Sequence, residues 1–92
     1  MTMAEQRIVI FLGNVQGVGF RFTACRVAGN YNVTGTARNC ADGTVECVVE
    51  GEASEIDAFV AELSDSMAGC IRRKTEQTAP ASGRFNSFGV TY

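Results

Sequence analysis

Two stretches of this chain repeat apolar residues at helical spacing, and strand-like segments flank both, which leaves few ways to fold it. Ile56, Phe59, Val60 and Leu63 fall at i, i+3, i+4 and i+7, with acidic residues outside the stripe. Ala24, Val27, Ala28 and Tyr31 show the same pattern earlier in the chain. A 3.6-residue period puts each set on one side of a helix, and that side must be buried against something. The flanking segments supply the partner. Arg7–Leu12 reads as a strand with Ile8, Ile10 and Leu12 on one face and Val9 and Phe11 on the other. Apolar residues on both faces predict a central strand, or one covered on both sides. Val33–Arg38 and Thr44–Glu50 form a second and third strand around Asp42-Gly43, a hairpin signal, with Val45, Cys47 and Val49 facing one way.

Local punctuation sets the expected boundaries. Asn30 and Asn32 are of the residue type that ends a helix in the left-handed conformation. Gly51 is expected to break the third strand, and Ser54-Glu55-Ile56-Asp57 to start the second helix as a capping-box variant. Gly69 closes that helix. Cys70–Gln77, rich in charge, suits an edge strand, Thr78–Gly83 a loop, and Phe88, Val90 and Tyr92 one face of a terminal strand. Met1–Gln6 reads as a short, poorly ordered lead, with Met3 an alternative start. The element order is β-α-β-β-α-β with a short final strand. This predicts a ferredoxin-like α/β sandwich: a mostly antiparallel sheet with two helices on one face. Residues 1–92 form a single domain, since 92 residues bury roughly 60–65% of the unfolded surface, enough for one core.

Composition removes several classes of function. With 46% hydrophobic and 20% charged residues the chain is not disordered, and one Pro and ten Gly exclude a collagen-like one. The longest uncharged run, Ile8–Phe20, is too short to span a bilayer, and no basic segment leads into an apolar one at the N-terminus. No membrane association and a cytoplasmic location are expected. The absence of His excludes catalytic triads, phosphohistidine chemistry and most transition-metal sites; the absence of Trp makes aromatic cages a poor fit. Cys25, Cys40, Cys47 and Cys70 form no close pair of the C-x-x-C type. Buried reduced thiols are the plain reading, with a disulfide as the alternative. Neither a metal nor a cofactor is implied.

Net charge is −2, unevenly spread: residues 46–66 carry seven acids and no base, while both flanking regions are net positive. Such a chain is no general nucleic-acid binder. Its first half can hold a local anion site. Gly13-Asn14-Val15-Gln16-Gly17-Val18-Gly19-Phe20-Arg21 joins the first strand to the first helix, with three glycines in seven residues. Glycines let backbone N–H groups turn inward as a nest, and the helix start adds unsatisfied donors. Arg21 in the first helical turn opposes the macrodipole at a cost of roughly 0.3–1 kcal/mol. A bound phosphate-sized dianion would turn that repulsion into cooperation, with the guanidinium gripping two oxygens. The competing reading is a tight turn whose Arg points into water. The segment is neither a Walker loop nor a dinucleotide fingerprint.

Val15-Gln16-Gly17-Val18-Gly19-Phe20-Arg21 resembles the signature loop of the acylphosphatase family. Thr34-Gly35-Thr36-Ala37-Arg38-Asn39 resembles the family's second motif, and Asp42-Gly43-Thr44-Val45-Glu46 and the terminal Phe-x-Val-x-Tyr continue the likeness. Thr36 departs from it, standing where a large or aromatic residue is more usual. The resemblance implies hydrolysis of acyl phosphates to carboxylate and inorganic phosphate, without metal or phosphoenzyme. It also implies that the N–H groups of Val15, Gln16, Gly17, Val18, Gly19 and Phe20, with Arg21, bind the phosphoryl group, and that Asn39 positions the attacking water. Residue type alone makes Asn39 a turn residue ahead of Asp-Gly. The expected partners are a small acyl phosphate and inorganic phosphate, as product and competitive inhibitor. A monomer is expected, and no nucleic-acid partner. Two alternatives remain: a non-catalytic anion-binding or regulatory module, and a phosphate-loop domain detached from a larger carbamoyl-transfer maturation factor. In the latter Pro commonly follows the motif Arg, whereas Phe22 does here.

Overall fold

The computed structural model describes residues 4–92. Seven elements follow in the expected order: β1 (Ala4–Gly13), α1 (Phe20–Ala28), β2 (Val33–Asn39), β3 (Val45–Glu52), α2 (Ala53–Ser66), β4 (Ile71–Pro80) and β5 (Phe88–Thr91). They build one five-stranded sheet in the order β4-β1-β3-β2-β5. Both helices contribute to the core on one side. Val9 and Phe11 of β1, Val45, Cys47 and Val49 of β3 and Ala37 of β2 pack there with Val27 of α1 and Ile56, Phe59 and Leu63 of α2, all fully buried. Apart from Ala37, to which the sequence assigned no face, each of these belongs to the stripe or strand face expected of it. β1 is an inner strand between β3 and β4. Its second apolar set, Ile8, Ile10 and Leu12, lies half-buried on the helix-free face.

The sheet is mixed. β5 runs parallel to β2, while the β1/β3, β1/β4 and β2/β3 pairs are antiparallel. This follows from the connection over 81–87, which carries the chain from the β4 edge to the opposite edge. Glu50, 5% exposed, anchors that crossing: its carboxylate accepts from the Ser82 N–H (2.8 Å), the Ser82 hydroxyl (2.8 Å), the Gly83 N–H (3.0 Å) and the Gln6 amide (2.7 Å). Burial alone would push this carboxyl up, but the four donors outweigh it and hold it down at about 2.

Several boundaries differ from the sequence reading, each for a tertiary reason. Ala4–Gln6 already belong to β1; the rest of the expected lead, residues 1–3, lies outside the described residues. α1 starts at Phe20, and Tyr31 falls beyond its end. Among the described residues no non-glycine residue adopts positive φ, so Asn30 and Asn32 do not close α1 in the left-handed conformation. Instead α2 holds this corner. Tyr31 and Asn30 donate to Glu62 (2.7 and 3.2 Å), and the Asn32 N–H donates to Glu55 (2.8 Å).

Gly51 does not end β3, because it pairs with both Glu5 and Val33. The expected capping box is not formed either. α2 begins at Ala53 with Glu52 as its cap and no side-chain cap bond, while Asp57 binds Arg7 of β1. β4 continues past Gln77 to Pro80, pairing with β1 over residues the sequence reads as loop. Among the described residues no helix is long and apolar enough to cross a membrane, and all four cysteines are unpaired.

Candidate phosphate-binding site

The loop between β1 and α1 is fixed by side chains that point away from its open surface. Val15 and Phe20 are buried, and the Phe20 ring meets Phe11 of β1 at a centroid distance of 4.9 Å. The Gln16 amide donates to the Cys40 and Thr44 carbonyls (2.8 and 2.9 Å), bracing the loop against the β2–β3 hairpin. That hairpin is itself tied by Asp42, which accepts from the Thr44 N–H and hydroxyl (3.0 and 2.7 Å). Gly17, Val18 and Gly19 stay exposed. Gly17 and Gly19 stand at φ +76° and +77°, on either side of a residue whose φ is not positive. Such alternation is the geometry of an anion-binding nest, and it requires glycine at both positions.

The donors of this segment are unused. From Val15 to Phe22 no backbone N–H donates to a backbone carbonyl among the described residues; the first helical bond is Thr23 N–H to Gly19 O (3.0 Å). Gly19 caps α1 without a side-chain bond, and the first turn carries no acid. An uncapped helix start beside a nest leaves a concentrated positive potential with no protein group to neutralise it.

Arg21 and Asn39 share one cleft of about 290 Å³ with Gly17, Gly19 and Phe20. Strand parity accounts for Asn39: Val33, Gly35 and Ala37 face the helices, so Asn39 at the end of β2 faces the start of α1. Arg38 points to the other face, 3.2 Å from Glu46. Gly35 keeps β2 close to β3, since a methyl group there would overlap the Val48 carbonyl. Thr36 lies on the helix-free face, away from the cleft.

The structure thus brings together Gly17, Gly19, Phe20, Arg21 and Asn39, leaves the Val18 side chain at the rim, and turns the Val15 and Gln16 side chains inward as anchors. Sequence reasoning missed the remaining walls, Phe22, Cys25, Val90 and Tyr92, and the Gln16 brace. Helical spacing points to Cys25, four residues after Arg21. Strand parity links Val90 with Tyr92. The Arg21 guanidinium lies over the Tyr92 ring, 5.2 Å from its centroid, within cation–π range. A second cleft, of about 350 Å³, lies at the other end of the sheet beside Glu50 and Glu52 and has no basic residue among the described residues that line it. It is larger but electrostatically wrong for an anion.

Fold and site together define a ferredoxin-like α/β domain in which a glycine-rich loop with free backbone donors opens, beside Arg21 and Asn39, onto one cleft. Residues 7–90 match the acylphosphatase family over nearly the whole chain. An acylphosphatase of Paenarthrobacter aurescens is 43% identical over 79 residues, 85% of this chain and 84% of that one. The crystal structure of acylphosphatase from Bacillus subtilis superposes with a TM-score of 0.83 at 25% identity, covering 98% of this chain and 100% of that one. Full-length HypF, in its phosphate- and nucleotide-bound form, matches with a TM-score of 0.85 at 26% identity, covering 100% of this chain and 12% of that much longer one. The chain belongs to the acylphosphatase family, hydrolases of carboxyl–phosphate anhydrides.

Proposed function

We propose that Arg21 and the N–H groups of residues 15–20 hold the phosphoryl group of an acyl phosphate while Asn39 aims a water at phosphorus. One observation carries this reading: a run of free backbone donors, a cation and a carboxamide share a single cleft. Water attacks phosphorus, the bond from phosphorus to the acyl oxygen breaks, and the carboxylate leaves with the bonding pair. A phosphoryl oxygen of the substrate accepts the water's proton, so the products are carboxylate and inorganic phosphate. An acyl phosphate is already activated, so positioning and charge stabilisation by this chain's own groups suffice. The reaction in this reading requires no metal or other cofactor, inorganic phosphate inhibits competitively, and the protein acts as a cytoplasmic monomer.

Two variants test the assignment. Arg21→Ala should weaken phosphate inhibition and turnover together, because the guanidinium holds the phosphoryl group in both ground and transition states. Asn39→Ala should lower kcat by ~10²–10³ while phosphate inhibition stays nearly unchanged, since its task falls in the transition state. Full turnover in Asn39→Ala with only stability lost would reduce Asn39 to a turn residue. Phosphate binding with no hydrolysis by the unmodified protein would favour a non-catalytic anion module.

A further inference from the structure

Large apolar side chains that stand in water are few among the described residues, and three of the four line one cleft. Among the described residues they are Val18 (40% exposed), Phe22 (75%), Val90 (40%) and Tyr92 (93%). Phe22, Val90 and Tyr92 line the cleft that holds Arg21 and Asn39, and Val18 sits between the two glycines at its edge. They come from separate parts of the fold: the loop, the first turn of α1, β5 and the residue after it. Helix or strand periodicity cannot explain a cluster assembled from three sources. An exposed apolar patch of this kind marks a binding surface.

We infer that Phe22, Val90, Tyr92 and Val18 form the subsite for the acyl group, and that this site takes acyl phosphates with an aromatic or extended apolar acyl group. The inference rests on the reading that the phosphoryl group lies in the 15–21 cradle. The anhydride oxygen must then lead outward, and the surface beside the cradle is this apolar rim. Arg21 is the one charged side chain among the described residues that line the cleft, and the phosphoryl group occupies it. An acyl group bearing a second anionic group therefore finds no counter-charge and must lose its hydration against hydrocarbon. Cys25, the remaining wall, is consistent with an apolar floor, because burial raises its thiol pKa and keeps it neutral.

The test compares kcat/KM for benzoyl, acetyl and succinyl phosphate in the unmodified protein, Phe22→Ser and Val90→Ser. The unmodified protein should prefer benzoyl over acetyl phosphate by about 10-fold or more, chiefly through KM, with succinyl phosphate poorest. Phe22→Ser should shrink the benzoyl-to-acetyl ratio by about 10-fold and Val90→Ser by about 3-fold. Inhibition by inorganic phosphate, within about twofold of the unmodified protein, serves as the check that each variant keeps its fold and cradle. A ratio that does not move in either variant overturns the inference while leaving the phosphatase reading intact. The same holds if sedimentation shows a dimer that Phe22→Ser dissociates with the ratio unchanged, since a second copy then covers the patch. If the unmodified protein hydrolyses none of the three, the phosphatase reading fails and the subsite with it.

Discussion

Replacing Gln16 by Met tests whether the loop and Asn39, the residue proposed to position water, are one mechanical unit. Met keeps the length of the side chain and removes two hydrogen bonds, those to the Cys40 and Thr44 carbonyls at 2.8 and 2.9 Å. Each carbonyl retains a second partner: Cys40 O accepts from Gly43 N–H (3.1 Å) and Thr44 O from Cys40 N–H (2.9 Å). No acceptor is orphaned, so the loss stays near the net value of two ordinary bonds, about 1–2 kcal/mol. For a domain of this size that lowers Tm by about 5–15 °C.

The functional cost should exceed the structural one. Cys40 directly follows Asn39, so the brace sets the distance between the loop and the carboxamide. In the proposed mechanism a looser brace misplaces water relative to phosphorus, and kcat should fall by ~10–100-fold, the scale of a displacement near 1 Å. Phosphate inhibition should change by less than about threefold, because the loop keeps its donors and Arg21. Urea unfolding, steady-state hydrolysis of benzoyl phosphate and phosphate inhibition on one preparation measure all three. Gln16→Glu should be worse, since a carboxylate would face two carbonyl oxygens. Unchanged kcat with lowered stability would refute the mechanical link, and unchanged stability would refute the hydrogen-bond accounting.

Inorganic phosphate should stabilise the fold by about 2.7 kcal/mol at a hundredfold excess over its Kd, or about 10–20 °C in Tm; melts against chloride at matched ionic strength check this, and an unchanged midpoint counts against the nest. Glu50 should give the acid limb of stability its shape. Its folded pKa of about 2 lies below the unfolded value, so its contribution is complete above about pH 4.5 and is lost as pH falls toward 2. Urea midpoints across pH 2–6 should therefore drop more steeply for the unmodified protein than for Glu50→Gln; parallel curves would show that the crossing connection does not depend on this charge.

The parts of the molecule legible in its sequence are those governed by periodicity. Ile56, Phe59, Val60 and Leu63 are buried as their spacing requires, whereas Asn39, read from residue type as a turn residue after a strand ending at Arg38, is the last residue of β2 and is turned toward α1 by strand parity. Arg21 in an acid-free first turn also carries its own signal, because it violates a local rule. Long-range contacts were not legible. Nothing near Gln16 marks carbonyls 24 and 28 residues away as its acceptors. Thr78–Pro80 looks like loop because an exposed edge strand has no apolar face to display, yet it pairs with β1. The left-handed end expected at Asn30 and Asn32 and the capping box at Ser54 failed alike. In each case a long-range partner, Glu62 or Glu55 of α2 or Arg7 of β1, engages a group at the position where the local motif was expected.

The parallel pairing of β5 with β2 gives α2 a say over a cleft that it does not line. Four rungs hold the pair, from Gly35↔Phe88 to Arg38↔Thr91. A slip of one residue along so short a ladder would turn Val90 and Tyr92 to the helix-free face and bring Gly89 and Thr91 inward. Two contacts oppose the slip: the Gly35 N–H donates to Ser87 O at 3.0 Å, and the Phe88 ring packs on Phe59 of α2 with centroids 5.3 Å apart. Phe59 thus works as a registration pin. The alignment of the cleft's far wall is decided in the middle of the second helix, by a ring fully buried in the core.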